Sequence, residues 1–187
     1  MTTIQRILTG GFVAALAVGL YMQTDARVQK AGAKAPDFKA TGSDGKSYTL
    51  KSFTGSKKPT VFYFIGATCP VNAEAVKYYN RVAEAYKGKI NFVGVINANK
   101  EEYKTWQQRF KAPYLVLLDP DLKIINSFEA ERSPWTILVD TNGKMTKTWV
   151  GYSVDEINQL SASIAGATKV TVAKVNTSGA PTSPRAG

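Results

Sequence analysis

The feature that most constrains this chain is the almost wholly apolar run Thr60–Ile65, which reads Thr-Val-Phe-Tyr-Phe-Ile. A run of this length without alternation is typical of a central strand that is buried on both faces of a sheet. Residues Pro70–Tyr86 follow with apolar side chains at helical spacing, and a proline suits the first turn of such a helix. A buried strand followed by an amphipathic helix indicates an α/β domain.

The same alternation continues along the chain. Asn142-Gly143 between two apolar runs predicts a β-hairpin, and Ser153-x-x-Glu156 predicts the capping box of a last helix. The sequence predicts strands at Ser47–Leu50, Thr60–Ile65, Ile90–Ile96, Tyr114–Leu118, Trp135–Val139 and Met145–Val150, with helices at Pro70–Tyr86, Glu101–Phe110 and from Ser153 to about Ile164. This order predicts a layered α/β domain around one central sheet.

The N-terminal segment predicts a membrane-spanning helix over residues 1–22. Arg6 precedes 18 residues without charge, Ile7–Thr24, which is near the lower limit for crossing a bilayer. A signal peptide cleaved after Ala26 is the alternative interpretation. Arg6 on the short side predicts that the domain lies outside, with lipid contact through residues 7–22. Small residues that could support close helix packing recur every four positions, at Gly11, Ala15 and Gly19.

The remaining boundaries follow from composition. Residues 23–35 have the character of a polar linker, and residues 36–166 form the predicted domain. Residues 167–187 are rich in Thr, Ser, Pro and Gly without apolar periodicity, which predicts a flexible tail that is disordered by itself.

Composition excludes several kinds of chemistry. The chain has one cysteine, Cys69, and no histidine, so it cannot form an intrachain disulfide or use His-based acid–base catalysis. Zinc and copper sites built from His and Cys are excluded as well, and we expect no metal and no cofactor. The net charge is +10, but the lysines are scattered and no nucleic-acid motif is present. We therefore expect no nucleic-acid partner.

Four short segments give the chain a family resemblance. They are Ala35-Pro36-Asp37-Phe38, Asp44-Gly45-Lys46 with Leu50-Lys51-Ser52-Phe53, Thr68-Cys69-Pro70, and Ser133–Asp140 with Asn142-Gly143-Lys144. With the element order, they resemble the thioredoxin superfamily, and within it the extracytoplasmic redoxin branch of TlpA- and ResA-like and peroxiredoxin-like proteins. The resemblance implies a thioredoxin-like fold, in which helices flank a central mixed sheet. It also implies a cis bond before Pro134, with the Ser133 backbone facing Cys69.

Cys69 is the candidate reactive thiol. A cysteine at the N-terminus of a helix faces the positive end of the helix dipole, which favours the nucleophilic thiolate. The resemblance places around it an active-site surround of Thr68, Pro70, Asn72, Ser133, Pro134 and Trp135. Trp135 belongs either to the core or to the rim of the groove beside Cys69.

The chain also departs from the family pattern. Asn72 stands where dithiol members carry their second cysteine, and Gly66 stands where peroxiredoxins carry a Thr or Ser. Three interpretations follow. The favoured one is a non-catalytic subunit or scaffold of a membrane protein complex. The second is a monothiol redox protein that reacts with an external thiol or disulfide protein, and the third is a one-cysteine peroxidase.

Overall fold

The computed structural model describes residues 31–187, and these residues form one seven-stranded mixed sheet with helices on both faces. The strands are β1 (Lys39–Gly42), β2 (Ser47–Thr49), β3 (Thr60–Ile65), β4 (Asn91–Ile96), β5 (Leu115–Leu118), β6 (Trp135–Val139) and β7 (Met145–Val150). The helices are α1 (Leu50–Thr54), α2 (Pro70–Ala85), α3 (Lys100–Phe110), α4 (Lys123–Ser127) and α5 (Val154–Thr168).

The sheet has the strand order β2-β1-β5-β4-β3-β6-β7. Strands β3, β4 and β5 run parallel, whereas β6 pairs antiparallel with β3 and with β7. The thioredoxin-like mixed sheet that the sequence predicted is therefore confirmed. The predicted transmembrane helix, with Gly11, Ala15 and Gly19, lies outside the described residues. Among residues 31–187, no helix combines the length and apolar character that crossing a bilayer requires.

Strand β3 divides the core in two. Because side chains alternate along a strand, Val61, Tyr63 and Ile65 enter one apolar cluster with α2, α3 and α5. Phe62 and Phe64 enter a second cluster with α1 and α4. The continuous apolar run of β3 is thus explained by burial on both faces.

The last helix continues to Thr168, and Lys169 then adopts a left-handed conformation with φ of 54°. Residues 169–187, which follow this helix, form the tail. The sequence predicted a flexible segment over residues 167–187, whereas the structure holds the tail against the domain. Val170, Ala173, Val175 and Ala180 pack on the cluster beside α2, α3 and α5.

Backbone groups of the tail supply further contacts, and composition does not reveal contacts of this kind. Tyr86 and Ser161 bind both backbone groups of Ala173, with the Tyr86 hydroxyl accepting its N–H at 2.9 Å and the Ser161 hydroxyl donating to its carbonyl at 2.9 Å. Farther along, Tyr78 donates to the Ser178 carbonyl at 3.1 Å.

Candidate functional site

The site is built on the turn between β3 and α2. Cys69 is the N-cap residue of α2 and has extended backbone angles, and its N–H donates to the Gly66 carbonyl at 3.1 Å. The Cys69 side chain is partly exposed, and Thr68 and Pro70 on either side of it are at least partly exposed. The predicted reactive thiol therefore lies at the helix N-terminus and at the surface.

A second segment, which precedes β6, faces this turn. The Ser133–Pro134 peptide bond is cis, as the resemblance implied, and Pro134 is buried. The Cys69 sulfur atom lies 3.8 Å from the Ser133 carbonyl oxygen. Residues separated by 64 positions in the chain thus meet at the site.

Asn72 is buried beneath Cys69 and is bonded on both sides of its amide. Its Oδ1 accepts a hydrogen bond from the Tyr63 hydroxyl at 2.7 Å, and its Nδ2 donates to the Ser133 hydroxyl and, at 3.4 Å, to the Phe64 carbonyl. Burial raises the pKa of Tyr63 well above its ordinary value, so this phenol stays protonated and remains a donor. Asn72 is therefore part of the structural framework of the site.

The Ser133 hydroxyl connects the two halves of the site. It accepts from the Gly66 N–H at 2.8 Å as well as from Asn72, and it lies 3.4 Å from the Phe64 carbonyl. The sequence predicted Ser133 near Cys69 for its backbone, and it missed this role of the side chain.

Trp135 does not line the groove. Its side chain is fully buried in the cluster beside α1 and α4, because its position in β6 points to the face of the sheet away from α2. Of the two alternatives for Trp135, the core is correct.

Two open clefts border Cys69. One has a volume of about 350 Å³ and is lined on its polar side by Asn97, Glu131 and Arg132. The other has a volume of about 410 Å³ and is lined by Glu74 and Arg109. Within residues 31–187, no group of three His, Cys, Asp or Glu side chains could hold a metal ion.

The tail reaches the site at Gly187, which the sequence did not predict. The Gly187 N–H donates to the Ser133 carbonyl at 2.9 Å, and the Ser133 N–H donates to the Gly187 carbonyl at 2.9 Å. A Cβ atom placed on Gly187 would lie 3.0 Å from the Cys69 sulfur. The tail backbone therefore covers one side of the thiol.

Sequence comparison places this fold and site in a family. The profile of the Redoxin family matches residues 30–164, which is most of the chain and includes both halves of the site. The chain belongs to the Redoxin family.

Individual redoxins and their structural relatives resemble it over similar lengths. The thiol-disulfide oxidoreductase ResA of Bacillus cereus is 26% identical over 134 residues, 71% of this chain and 76% of the relative. Peroxiredoxin Bcp of Bacillus subtilis is 24% identical over 132 residues, 63% of this chain and 83% of the relative. The thioredoxin domain of a thiol-disulfide oxidoreductase from Bacteroides vulgatus superposes with a TM-score of 0.63 and 22% identity, over 72% of this chain and 98% of that one.

Gly66 distinguishes this redoxin from the peroxidase pattern for a steric reason. A Cβ atom on Gly66 would lie 2.8 Å from the Cβ of Cys69 and 3.3 Å from the Ser133 side chain. The Thr or Ser that the peroxiredoxin pattern places at this position does not fit without moving the turn. The absence of that side chain is therefore built into the packing of the site.

Proposed function

We propose that this redoxin is a membrane-anchored, extracytoplasmic subunit or scaffold of a membrane protein complex, and that it does not catalyse dithiol exchange. The observation that carries the proposal is Asn72, which takes the position of the resolving cysteine and is fixed there by buried hydrogen bonds. The anchor is the uncharged segment over residues 7–22, and Arg6 before it favours the domain lying outside.

The bonds that form and break in thiol–disulfide exchange support the non-catalytic role. If the Cys69 thiolate attacks a disulfide, one S–S bond forms, another breaks, and one thiolate leaves. The chain then holds a mixed disulfide, and it has no second thiol to attack that bond. Turnover would need an external thiol at every cycle. Peroxidase activity has less support still, since the turn at Gly66 leaves no room for a side chain to orient a peroxide.

A monothiol redox role is the second candidate, and one observation favours it. Cys69 is partly exposed at the N-terminus of α2 and borders two clefts, so a partner's sulfur atom could approach it. In this role an external thiol or disulfide protein completes the reaction.

The scaffold proposal is tested by the size of the native particle. The full-length protein is extracted from its own membranes with a mild detergent and sedimented, and a second extraction in a strong ionic detergent provides the monomer reference. We expect the mild extract to sediment as a large particle. A protein that sediments as the monomer in both extracts would contradict a role as complex subunit.

The choice between the two candidates is tested by turnover. The full chain is assayed for insulin reduction with dithiothreitol or glutathione as the external thiol, and Cys69→Ser is the matched control. We expect the same rate for both chains. A native rate clearly above that of Cys69→Ser would establish the monothiol role instead.

A further inference from the structure

We propose that residues 182–187 are an intramolecular peptide ligand that occupies the groove beside Cys69, and that their release opens this groove. The proposal goes beyond the proposed function, because it concerns access to the groove whether or not Cys69 reacts. It begins from the way in which the tail is bound.

The tail is held at this groove by paired backbone hydrogen bonds. Arg185 exchanges two backbone hydrogen bonds with Tyr152, at 2.9 and 3.0 Å, and Gly187 exchanges two with Ser133, at 2.9 Å each. Backbone pairing of an extended segment with an exposed edge is a general mode of peptide recognition. The groove therefore has the hydrogen-bonding pattern of a site for an extended peptide.

Side chains of the domain determine which peptide residues this site accepts. Arg185 forms an ion pair with Glu74 at 2.8 Å, and the Tyr152 hydroxyl donates to the same Glu74 oxygen at 3.0 Å. Two residues later, Gly187 approaches the Cys69 sulfur so closely that a Cβ atom there would lie 3.0 Å from it, which favours a residue without a side chain unless Cys69 shifts. The site thus fits an extended segment with arginine two positions before glycine.

The domain backbone is shaped to receive the segment. Gly151 has φ of +80°, and a Cβ atom there would lie 2.6 Å from the Arg185 carbonyl oxygen. The Gly151 N–H donates to the Pro134 carbonyl at 2.8 Å, which fixes this close approach beside the cis proline. The glycine therefore leaves the space that the tail backbone occupies.

The binding is weak enough to be reversible. Residues 182–185 are exposed, so they bury little apolar surface, and the ion pair with Glu74 is half-exposed on both sides. Segments with few buried contacts open at low free-energy cost. Residues 170–180, by contrast, pack on the core through four apolar side chains and would keep the released segment close to its groove.

The test measures access to Cys69, which is the only thiol of the chain and so gives a single-site signal. The full chain in detergent and a variant that ends at Pro181 are labelled with a bulky maleimide under pseudo-first-order conditions. We expect labelling to be about tenfold faster in the truncated variant. Equal rates in two chains with the same folded circular-dichroism spectrum would overturn the proposal.

Two further variants keep the test valid if truncation disturbs folding. Arg185→Glu places like charges together at Glu74 and should speed labelling by about threefold, whereas Lys174→Glu, on the same tail, should leave the rate unchanged. Equal labelling rates in these two variants would also overturn the proposal.

Addition of the peptide in trans completes the experiment. An amidated peptide with the sequence of residues 180–187 should slow labelling of the truncated chain towards the intact rate, while a peptide carrying Gly187→Val should not. No protection by the native peptide at millimolar concentration would show that the groove does not bind it. None of these outcomes depends on the size of the native complex or on turnover.

Discussion

Cys69 and Asn72 are three residues apart at the start of the same helix, and the domain holds them in opposite ways. Asn72 is buried, and both ends of its amide are bonded to groups from β3 and from the segment before β6. Cys69 is partly exposed, and its sulfur has one long polar contact, at 3.8 Å from the Ser133 carbonyl. One position stabilises the fold, and the other is open to chemistry or to a ligand.

The difference explains how a redoxin can lose dithiol chemistry and keep its fold. A buried cysteine has little hydrogen-bonding capacity, whereas an amide can bind a hydroxyl donor and a hydroxyl acceptor at once. Asn72 uses both capacities to join Tyr63 to Ser133. The second position of the motif has therefore changed from a reactant to a structural link. Substitutions that give both positions a thiol, or that remove one of the two side chains, test this account.

The largest effect is expected from Asn72→Cys, which gives both positions a thiol. The two thiols would have Cys-x-x-Cys spacing at a helix N-terminus, a spacing at which disulfides form and exchange. We expect two free thiols in the reduced variant and none after mild oxidation. Insulin reduction with dithiothreitol should rise by at least about tenfold over the native chain.

Two matched variants control this gain of function. Asn72→Ser changes the same side chain without adding a thiol, and Cys69→Ser in the Asn72→Cys background leaves a single thiol at the second position. Both should stay at the native rate. Two titratable thiols in the oxidised variant would show that the positions are too far apart to form a disulfide.

The second prediction compares the cost of removing each side chain. Asn72→Leu keeps a similar volume but leaves the Tyr63 and Ser133 hydroxyls without their amide partner, so the free energy of unfolding should fall by about 3 kcal/mol. Cys69→Ala removes a side chain with one long contact and should cost less than about 1 kcal/mol. Urea denaturation measures both changes.

Asn126→Leu provides the control for adding an apolar side chain near the site, because Asn126 is exposed in α4 and lines the cleft beside Cys69. It should change the unfolding free energy by less than about 0.5 kcal/mol. Equal costs for Asn72→Leu and Cys69→Ala would remove the distinction between the two positions.

The long elements of the fold could be predicted because their side chains repeat with a clear period. Thr60–Ile65 was predicted with the bounds that β3 has, and Pro70–Tyr86 differs from α2 by one residue. The four-residue strand β1 and the five-residue helices α1 and α4 were missed, since segments this short do not establish a period. Their positions depend on packing against the rest of the domain.

The site could be predicted only in part, for a related reason. The cis bond before Pro134 and the approach of Ser133 to Cys69 followed from the family resemblance. The bonds of Asn72 join residues up to 61 positions apart, and nothing local in the sequence indicates them. The tail was missed because many of its contacts use backbone groups, which are the same for almost every residue type, and because its packed apolar residues follow no regular period.

The third prediction concerns Ser133, whose hydroxyl joins Asn72 to the turn below Cys69. Ser133→Ala leaves the Gly66 N–H and the Asn72 amide without their shared acceptor, and the unfolding free energy should fall by about 2 kcal/mol. The control is Ser127→Ala, since Ser127 is exposed and its hydroxyl donates to one backbone carbonyl, that of Ile124 in the same helix. Its loss should change the unfolding free energy by less than about 0.5 kcal/mol. Equal costs in urea denaturation would argue against a network centred on Ser133.

The smallest effect is expected from Tyr63→Phe, and its pH dependence makes it specific. Loss of the hydroxyl leaves Asn72 Oδ1 without its donor and should cost about 1 kcal/mol at pH 7. Burial raises the pKa of Tyr63 well above 10 in the folded protein. The full contribution of this phenol to stability is therefore present below the pKa of the unfolded chain, which is about 10. This contribution is lost as the pH rises above that value, because the unfolded chain ionises first.

The native chain should therefore lose stability faster than Tyr63→Phe above pH 10, at a rate that approaches about 1.4 kcal/mol per pH unit, so that the gap of about 1 kcal/mol closes and reverses before pH 11. Urea denaturation between pH 7 and pH 11 measures the gap, which should be constant up to about pH 9 because Tyr63 is protonated in both states there. A gap that stays constant to pH 11 would mean that Tyr63 ionises as easily in the folded protein as in the unfolded chain. Solvent would then reach the Asn72 side of the helix as it reaches Cys69, and the contrast between the two positions would fail.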